Sequence, residues 1–272
     1  MAKILSFLSW NVENFHGEPA RVDRVVDKIA GKNPDVFALY EVKGATVFQA
    51  MSTKMPGYTI SITESPSVPE ILVGVKGNLT AFVTQRNELQ SKVPSLRPGA
   101  LATITKSGTN YSFLFLHLKS FAAPRDWGLR DDMFGHVASL KRTLDKNAPG
   151  GQDANFVALG DLNTMGLSAA YNNETDFDAA KELEFVDNRM EAAAHRMRRL
   201  SKTHHESWWN GKDKPGASPL DHVYASNHLH FKKFGGKEIE VSGWVDEATD
   251  AKKKEWISKY SDHSMLYGEL RD

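Results

Sequence analysis

The run Ala158-Leu159-Gly160-Asp161-Leu162-Asn163 constrains this chain more than any other segment. An apolar strand delivers an Asp and an Asn, two positions apart, at its carboxyl end, and side chains two apart on a strand share a face. A carboxylate beside an amide suits holding and deprotonating a water next to a phosphate, although Asp-Leu-Asn is also ordinary turn chemistry. Four further segments each close an apolar, strand-like run with polar residues: Ser9-Trp10-Asn11-Val12-Glu13-Asn14, Leu39-Tyr40-Glu41, Leu116-His117-Leu118, and the Asp-His pairs Asp221-His222 and Asp262-His263.

Periodicity and turn residues place these segments in a fold. Strands are expected over residues 5–12, 36–41, 58–63, 71–76, 80–86, 101–106, 111–119, 156–159, 220–226 and 264–270. Helices are expected over 21–32, ended by Asn33-Pro34, over 44–55, closed by Pro56-Gly57, and over 131–145, 190–200 and 248–259. Strands and helices alternate at first, then strands crowd together, which implies two sheets packed face to face. No internal repeat or low-complexity linker interrupts the chain.

Composition agrees with a soluble enzyme. At 272 residues and 40% apolar content the chain is expected to form one domain, burying roughly three quarters of its unfolded surface. It has no cysteine, so it needs no disulfide and is indifferent to redox compartment. Residues 1–10 hold one Lys and a short apolar stretch that runs into Trp10-Asn11 without a small-residue cleavage site. That reads as a strand rather than a signal peptide. No run of about 18 apolar residues suggests a membrane span, and a cytoplasmic location is expected. With 34 basic and 34 acidic residues, the chain lacks the global cationic footprint of a nucleic-acid binder. A polyanion would have to be met by a local patch and a metal. Glu41 is the natural metal ligand, because a carboxylate closing the apolar run 36–39 is costly to bury unless paired or bound to a cation. Hard oxygen ligands in a cysteine-free chain favour magnesium, with manganese as a substitute, over zinc.

In these five segments and their order, from Leu5 to Leu270, the chain resembles the endonuclease/exonuclease/phosphatase superfamily, which includes deoxyribonuclease I, exonuclease III, bacterial sphingomyelinases and inositol polyphosphate phosphatases. The resemblance implies a four-layer α/β sandwich, two mixed sheets between layers of helices, with the site at one edge. It implies that Glu41 is the principal magnesium ligand, supported by Asn11, with Glu13 auxiliary and Asp262 at the metal edge. It further implies that Asp161 orients and deprotonates water with help from Asn163, and that His263, oriented by Asp221, hydrogen-bonds the scissile phosphate. His117 matches the histidine of deoxyribonuclease I, where exonuclease III-like enzymes place Tyr; it can stabilise or protonate a leaving alkoxide. Glu70 is its expected acidic partner. One departure stands out: relatives commonly carry Gln before the metal Glu, and here Tyr40 stands there. His222 has no role to carry over and reads as a packed or surface histidine.

Substrate contacts are expected elsewhere. Arg97 and Arg130 are of a type that touches phosphate, although surface arginines are common. The stretch from His195 to His205 combines Arg196, Arg198 and Arg199 with Trp208 close behind. Cations that track a phosphate backbone and aromatics that stack on bases suit single or distorted strands, though an Arg-rich helix face is usually only solvated. The leading expectation is a magnesium-dependent phosphodiesterase acting on nucleic acid, DNA first. The alternatives are a phosphatase or lipid phosphodiesterase on the same scaffold, and a catalytically silent binding module. Leu220-Asp221-His222 speaks against the inositol phosphatases, which usually show Cys-Asp-Arg there. His117-Leu118-Lys119 speaks against the sphingomyelinases, which commonly show His-Thr-Gln.

Overall fold

The computed structural model describes residues 2–65, 70–168, 177–214 and 216–272, without the side chains of Ala45 and Glu70. The first half begins with β1 (Lys3–Phe15), α1 (Pro19–Lys32), β2 (Val36–Val42) and α2 (Ala45–Lys54). A run of strands follows: β3 (Tyr58–Ile62), β4 (Glu70–Lys76), β5 (Thr80–Arg86), β6 (Gly99–Lys106) and β7 (Thr109–His117). Then come α3 (Pro124–Lys146), β8 (Asn155–Asp161), α4 (Ala179–Glu191), β9 (Met197–Arg199), β10 (Asp221–Ser226), β11 (His230–Phe231), β12 (Glu240–Ser242), α5 (Asp250–Lys259) and β13 (Met265–Arg271). α1 shows why the local signals work. Pro19 fills the first turn, Val22, Val25, Val26 and Ile29 bury one face, and Asn33 ends the helix in the left-handed region at φ 48°.

Among the described residues the strands form two mixed sheets. One runs β11-β13-β1-β2-β4-β3, with β12 also on β13; the other runs β5-β6-β7-β8-β10-β9. Only β1/β2 and β7/β8 are parallel pairs among the named strands. Phe7, Tyr40 and Val73 of the first sheet meet Phe113, Phe115, Leu159 and Val223 of the second in the central core. The outward residues Leu8, Trp10, Phe37 and Leu39 are covered by α1, Met51 of α2 and Trp256 of α5. On the other side Leu114, Leu116, Phe156 and Ala158 pack on α3 and α4. The result is the four-layer sandwich expected from the sequence. Because both faces of each central strand are covered, β2 and β8 read as nearly continuous apolar runs, and β1 does so apart from the buried Ser6, Ser9 and Asn11. Among the described residues no helix is long and apolar enough to cross a membrane.

Two helix expectations are corrected. Residues 190–200 are not a helix: α4 stops at Glu191, the chain turns as His195 and Arg196 donate their N–H groups to Ala192 O, and Met197–Arg199 pairs with Tyr224 to Ser226 as an edge strand. The spacing of Met190, Met197 and Leu200 imitates a helical stripe, but pairing with β10 overrides it. α4 itself, capped by the Asp178 carboxylate on Lys181 N–H, was not foreseen. α3 begins at Pro124, earlier than the expected 131, because Pro is suited to a first turn.

Arg130 is a structural residue. It is fully buried and bidentate on Glu182, with Nε–Oε1 2.7 Å and Nη2–Oε2 2.8 Å. It also donates to the carbonyls of Lys119, Phe121 and Gly166, tying α3, α4 and two loops at the site edge together. Arg130→Ala leaves a buried carboxylate without its cation and is expected to lower unfolding stability by about 3–5 kcal/mol in urea titrations. Combining Arg130→Met with Glu182→Leu is expected to recover most of that. Equal stability of wild type and Arg130→Ala would contradict this role.

Candidate active site

Topology gathers the polar strand ends at one edge. β1 and β2 run parallel, as do β7 and β8, while β10 and β13 run antiparallel to β8 and β1. The carboxyl ends of four strands therefore meet the start of β10 and the turn before β13. In register, His117 lies opposite Asp161, and Asp161 opposite Asp221, across three neighbouring strands. Gly160 makes this close approach possible: at its φ of 145°, a Cβ would stand 1.9 Å from Leu116 O and 2.7 Å from Tyr40 Oη.

Side chains from both sheets converge there. Asn11 Nδ2 donates to Asp161 Oδ2 at 2.9 Å and reaches Glu41 Oε1 at 3.5 Å, while its Oδ1 accepts from Glu13 N–H at 3.0 Å. Glu41 Oε2 accepts from Asn14 N–H at 2.9 Å. His117 Nε2 stands 3.4 Å from Asp161 Oδ2 and 3.8 Å from Glu41 Oε1. His263 Nδ1 is bonded to Asp221 Oδ2 at 2.8 Å, and its Nε2 is 3.7 Å from Asp161 Oδ2 and 4.0 Å from Asp262 Oδ1. Asn163 donates its backbone N–H to Asp161 Oδ1 and its Nδ2 to Leu118 O, each at 3.2 Å. Glu13, Asn14, Glu41 and Asn163 all have positive φ, between 39° and 64°. Such strain in non-glycine residues gathers where function over-determines the backbone.

Burial sets the protonation states. Asp161 is pushed up to about 7, first by burial and then by the like charges of Asp221 and Glu41, against the opposing pull of His263 and Asn11. Burial alone would lower His263, but the carboxylates of Asp221 and Asp161 raise it to about 10, so it is an imidazolium at neutral pH. His117 is held well below the ordinary imidazole value by burial, with Arg97 and His263 adding positive charge nearby. Its Nδ1 is buried with no hydrogen-bond partner among the described residues; the expected partner side chain, Glu70, lies outside them.

The donor set fits a hard divalent cation. Glu13 is raised by burial and by the nearby carboxylates Asp262 and Glu41, with Arg21 opposing. A Glu13 carboxyl raised by its carboxylate neighbours marks a rim short of positive charge, where Glu41 Oε1 has the long 3.5 Å contact to Asn11 and lies 3.8 Å from His117 Nε2. Asp161, Asp221 and His263 also bring ligand atoms within 4.8 Å of one another and can bind a metal. His263 Nδ1 is already bonded to Asp221 Oδ2 at 2.8 Å, however, and the Glu41 rim offers the harder oxygen donors.

The remaining expected residues fall in three places. Trp208 is half-buried at the site, its indole N–H donating to Asp262 Oδ2 at 2.7 Å. Arg97 lies close enough to His117 to disfavour its protonation. The cationic face expected from Arg196, Arg198 and Arg199 is not built. Arg196 is level with Asn227, whose N–H donates to Arg196 O, about 20 Å along β10 from Asp221, and its guanidinium pairs with Asp153. Arg198 pairs with Glu238 at 2.9 Å and Arg199 with Asp187 at 2.8 Å. Consecutive residues of a strand point to opposite faces, so a helix-like basic stripe has no counterpart here. His222 is buried, its Nε2 bonded to Pro219 O at 2.6 Å and 3.2 Å from Thr164 Oγ1.

Several supporting residues escaped the sequence reading. Ser261 Oγ donates to Asn11 O at 2.7 Å and accepts from His263 N–H at 3.0 Å. Trp10 Nε1 holds His263 O at 2.8 Å, and Ser207 Oγ accepts from Asp221 N–H at 2.9 Å. Lys202 donates to Asp221 O at 2.7 Å, and burial lowers its ammonium to about 8. Tyr40, whose place before Glu41 the sequence did single out, bridges the two sheets, its Oη 2.9 Å from Ser9 Oγ and 3.3 Å from Leu159 O. Its ring edge meets His117 with centroids 6.0 Å apart. Of these, Ser261 stands in the Asp262-His263 motif and Trp10 in the Asn11 motif, so proximity to a motif was the available signal.

Comparison with known proteins follows the same geometry. A family model described as the Endonuclease/Exonuclease/phosphatase family matches residues 8–263. No curated protein matches the sequence. Among solved structures, a truncated Caenorhabditis elegans TDP2 superposes with TM-score 0.67 at 15% identity, over 98% of each chain. D. rerio TDP2 complexed with a single-strand DNA product gives 0.60 at 17% identity, over 98% of this chain and 99% of that one. The Bacteroides thetaiotaomicron mannosyl-6-phosphatase gives 0.62 at 14% identity, over 99% and 100%. Identities this low carry the fold alone.

Proposed function

The chain belongs to the endonuclease/exonuclease/phosphatase family, and from that premise we propose that it is a metal-dependent phosphodiesterase acting on nucleic acid, DNA foremost. The observation that carries this reading is the meeting of Asn11, Glu41, His117, Asp161, Asp221 and His263 within hydrogen-bond or ion-pair reach at one sheet edge. Support for a nucleic-acid substrate comes from the D. rerio TDP2 structure, a protein of the same fold that holds a single-strand DNA product.

Glu41 and Asn11 would hold the cation, with Glu13 and Asp262 alongside; magnesium fits the oxygen donors, and manganese can replace it. When bound, the metal offsets the negative charge that grows on the phosphoryl oxygens. Asp161, raised by its surroundings and steadied by Asn11, accepts the proton of the attacking water as that oxygen forms its bond to phosphorus. Asn163 fixes the turn that presents Asp161. His263, kept cationic by Asp221, donates Nε2–H to a non-bridging phosphate oxygen. His117, kept neutral, donates a hydrogen bond from Nε2 as the ester oxygen leaves with the electron pair of its bond to phosphorus. Trp208 holds Asp262 in place, and Arg97 adds positive charge near His117.

A substrate panel tests the reading: plasmid, single-stranded DNA, RNA, abasic duplex, bis-p-nitrophenyl phosphate, the monoester p-nitrophenyl phosphate and a phosphocholine ester, each with magnesium and with chelator. Cleavage of DNA or RNA together with the small diester is the expected result. Hydrolysis confined to phosphomonoesters or lipid head groups would overturn the nucleic-acid assignment, and no hydrolysis of any ester would overturn the enzymatic one.

A further inference from the structure

The loop that leaves the site after His117 displays an aromatic ring that the core does not use. Phe121 is 64% exposed, yet its backbone sits at φ 77°, a left-handed conformation disfavoured for a bulky side chain. The fold holds it there. Its carbonyl accepts from Arg130 Nη1 at 2.8 Å, and Arg130 is itself locked on Glu182. Its N–H points to Met165 Sδ at 3.2 Å, and Lys119, anchored by Asp126 at 2.9 Å, lays its ammonium 4.9 Å from the ring centroid. Phe82 is also exposed, at 71%, but it lies on an edge strand in extended backbone, where a single apolar side chain is ordinary.

Phe121 and its partner Met165 both stand close in sequence to the catalytic groups. Phe121 follows His117 by four residues, at most about 14 Å of chain, and Met165 follows Asn163 by two. A solvent-facing ring on an anchored backbone, within about 14 Å of chain from His117 and with a cation beside it, matches what binds an unpaired base: a π-face already presented to solvent.

We propose that Phe121 is a stacking platform for a base of a single-stranded nucleic-acid substrate, adjacent to the nucleotide whose phosphate is cleaved. The proposal rests on the nucleic-acid reading above. It makes Phe121 a specificity residue: it touches the substrate but no reacting atom.

Steady-state kinetics on the full chain tests this with Phe121→Ala and Phe121→Trp. On a fluorescent single-stranded oligonucleotide, Phe121→Ala is expected to raise KM by about 5- to 100-fold, while Phe121→Trp stays near wild type. On bis-p-nitrophenyl phosphate all three are expected to be equal, since its rings hang directly on the reacting phosphate and do not extend to a neighbouring nucleotide. On an oligonucleotide with abasic residues flanking the cleaved phosphate, wild type and Phe121→Ala are expected to converge. An unchanged KM on the base-bearing strand would overturn the proposal, as would a loss equal on base-bearing and abasic strands. A parallel loss on the small diester would assign the ring to structure instead. Failure of wild type to cleave any DNA or RNA is the separate result that removes the nucleic-acid reading itself.

Discussion

Asp161→Asn is expected to reduce turnover by about 10²- to 10⁴-fold, while binding of oligonucleotide, measured by fluorescence anisotropy, stays within a few fold of wild type. The substitution keeps the size and polarity of the side chain and removes its ability to take a proton. The pH profile adds a signature that a merely structural defect does not reproduce. Asp161 is pushed up to about 7 by burial and by its neighbouring carboxylates, and it is active only when deprotonated. The wild-type rate therefore rises with pH along a limb set by Asp161. A divalent cation beside it favours the carboxylate, so that limb moves to lower pH as magnesium is raised. His263, raised to about 10, keeps its proton across the neutral range and sets a fall near pH 10. An amide in place of the carboxylate does not titrate in this range, so the residual rate of Asp161→Asn lacks the acid limb. Full activity of this variant, or an unchanged acid limb, would remove Asp161 from the role of base.

The second large effect concerns Glu41. Glu41→Gln keeps a side-chain oxygen for Asn14 N–H but removes a charge from the carboxylate rim. It is expected to raise the magnesium concentration for half-maximal activity by at least about tenfold, as loss of a ligand costs no less than loss of a group behind it. Activity at saturating metal is expected to recover in large part. Titrating Asp221→Asn in parallel separates the two possible metal positions. If Asp161, Asp221 and His263 were the metal site, Asp221→Asn would shift the magnesium requirement and Glu41→Gln would leave it unchanged.

Much of this site was legible in the sequence for a local reason. Asn11, Glu41, His117 and Asp161 each end a run of buried apolar residues, and a polar group at the end of a covered strand must face either solvent or another polar group. Four such ends in one chain leave few arrangements, and the parallel pairs β1/β2 and β7/β8 bring them to a common edge. What was missed depends on pairing between distant residues. Met197–Arg199 became a strand because β10 offered it an unpaired edge, with Met197 opposite Ser226, 29 positions on (226 − 197), which no local pattern announces. The dispersal of Arg196, Arg198 and Arg199 onto Asp153, Glu238 and Asp187 follows from that error, since faces computed on a helix do not survive on a strand. Tyr40 shows the same limit. Its position before Glu41 was visible, but its bridge to Ser9 and Leu159 O, and its contact with the ring of His117, exist only once two sheets are packed.

The most direct test of a metal-dependent phosphodiesterase is a gel assay of a labelled single-stranded oligonucleotide incubated with the purified chain in excess chelator and then with added magnesium. Shortened products that appear only after magnesium is restored, and fail to appear with Asp161→Asn, are the expected result. Cleavage at an undiminished rate in chelator, or an intact strand at every magnesium concentration, would contradict it.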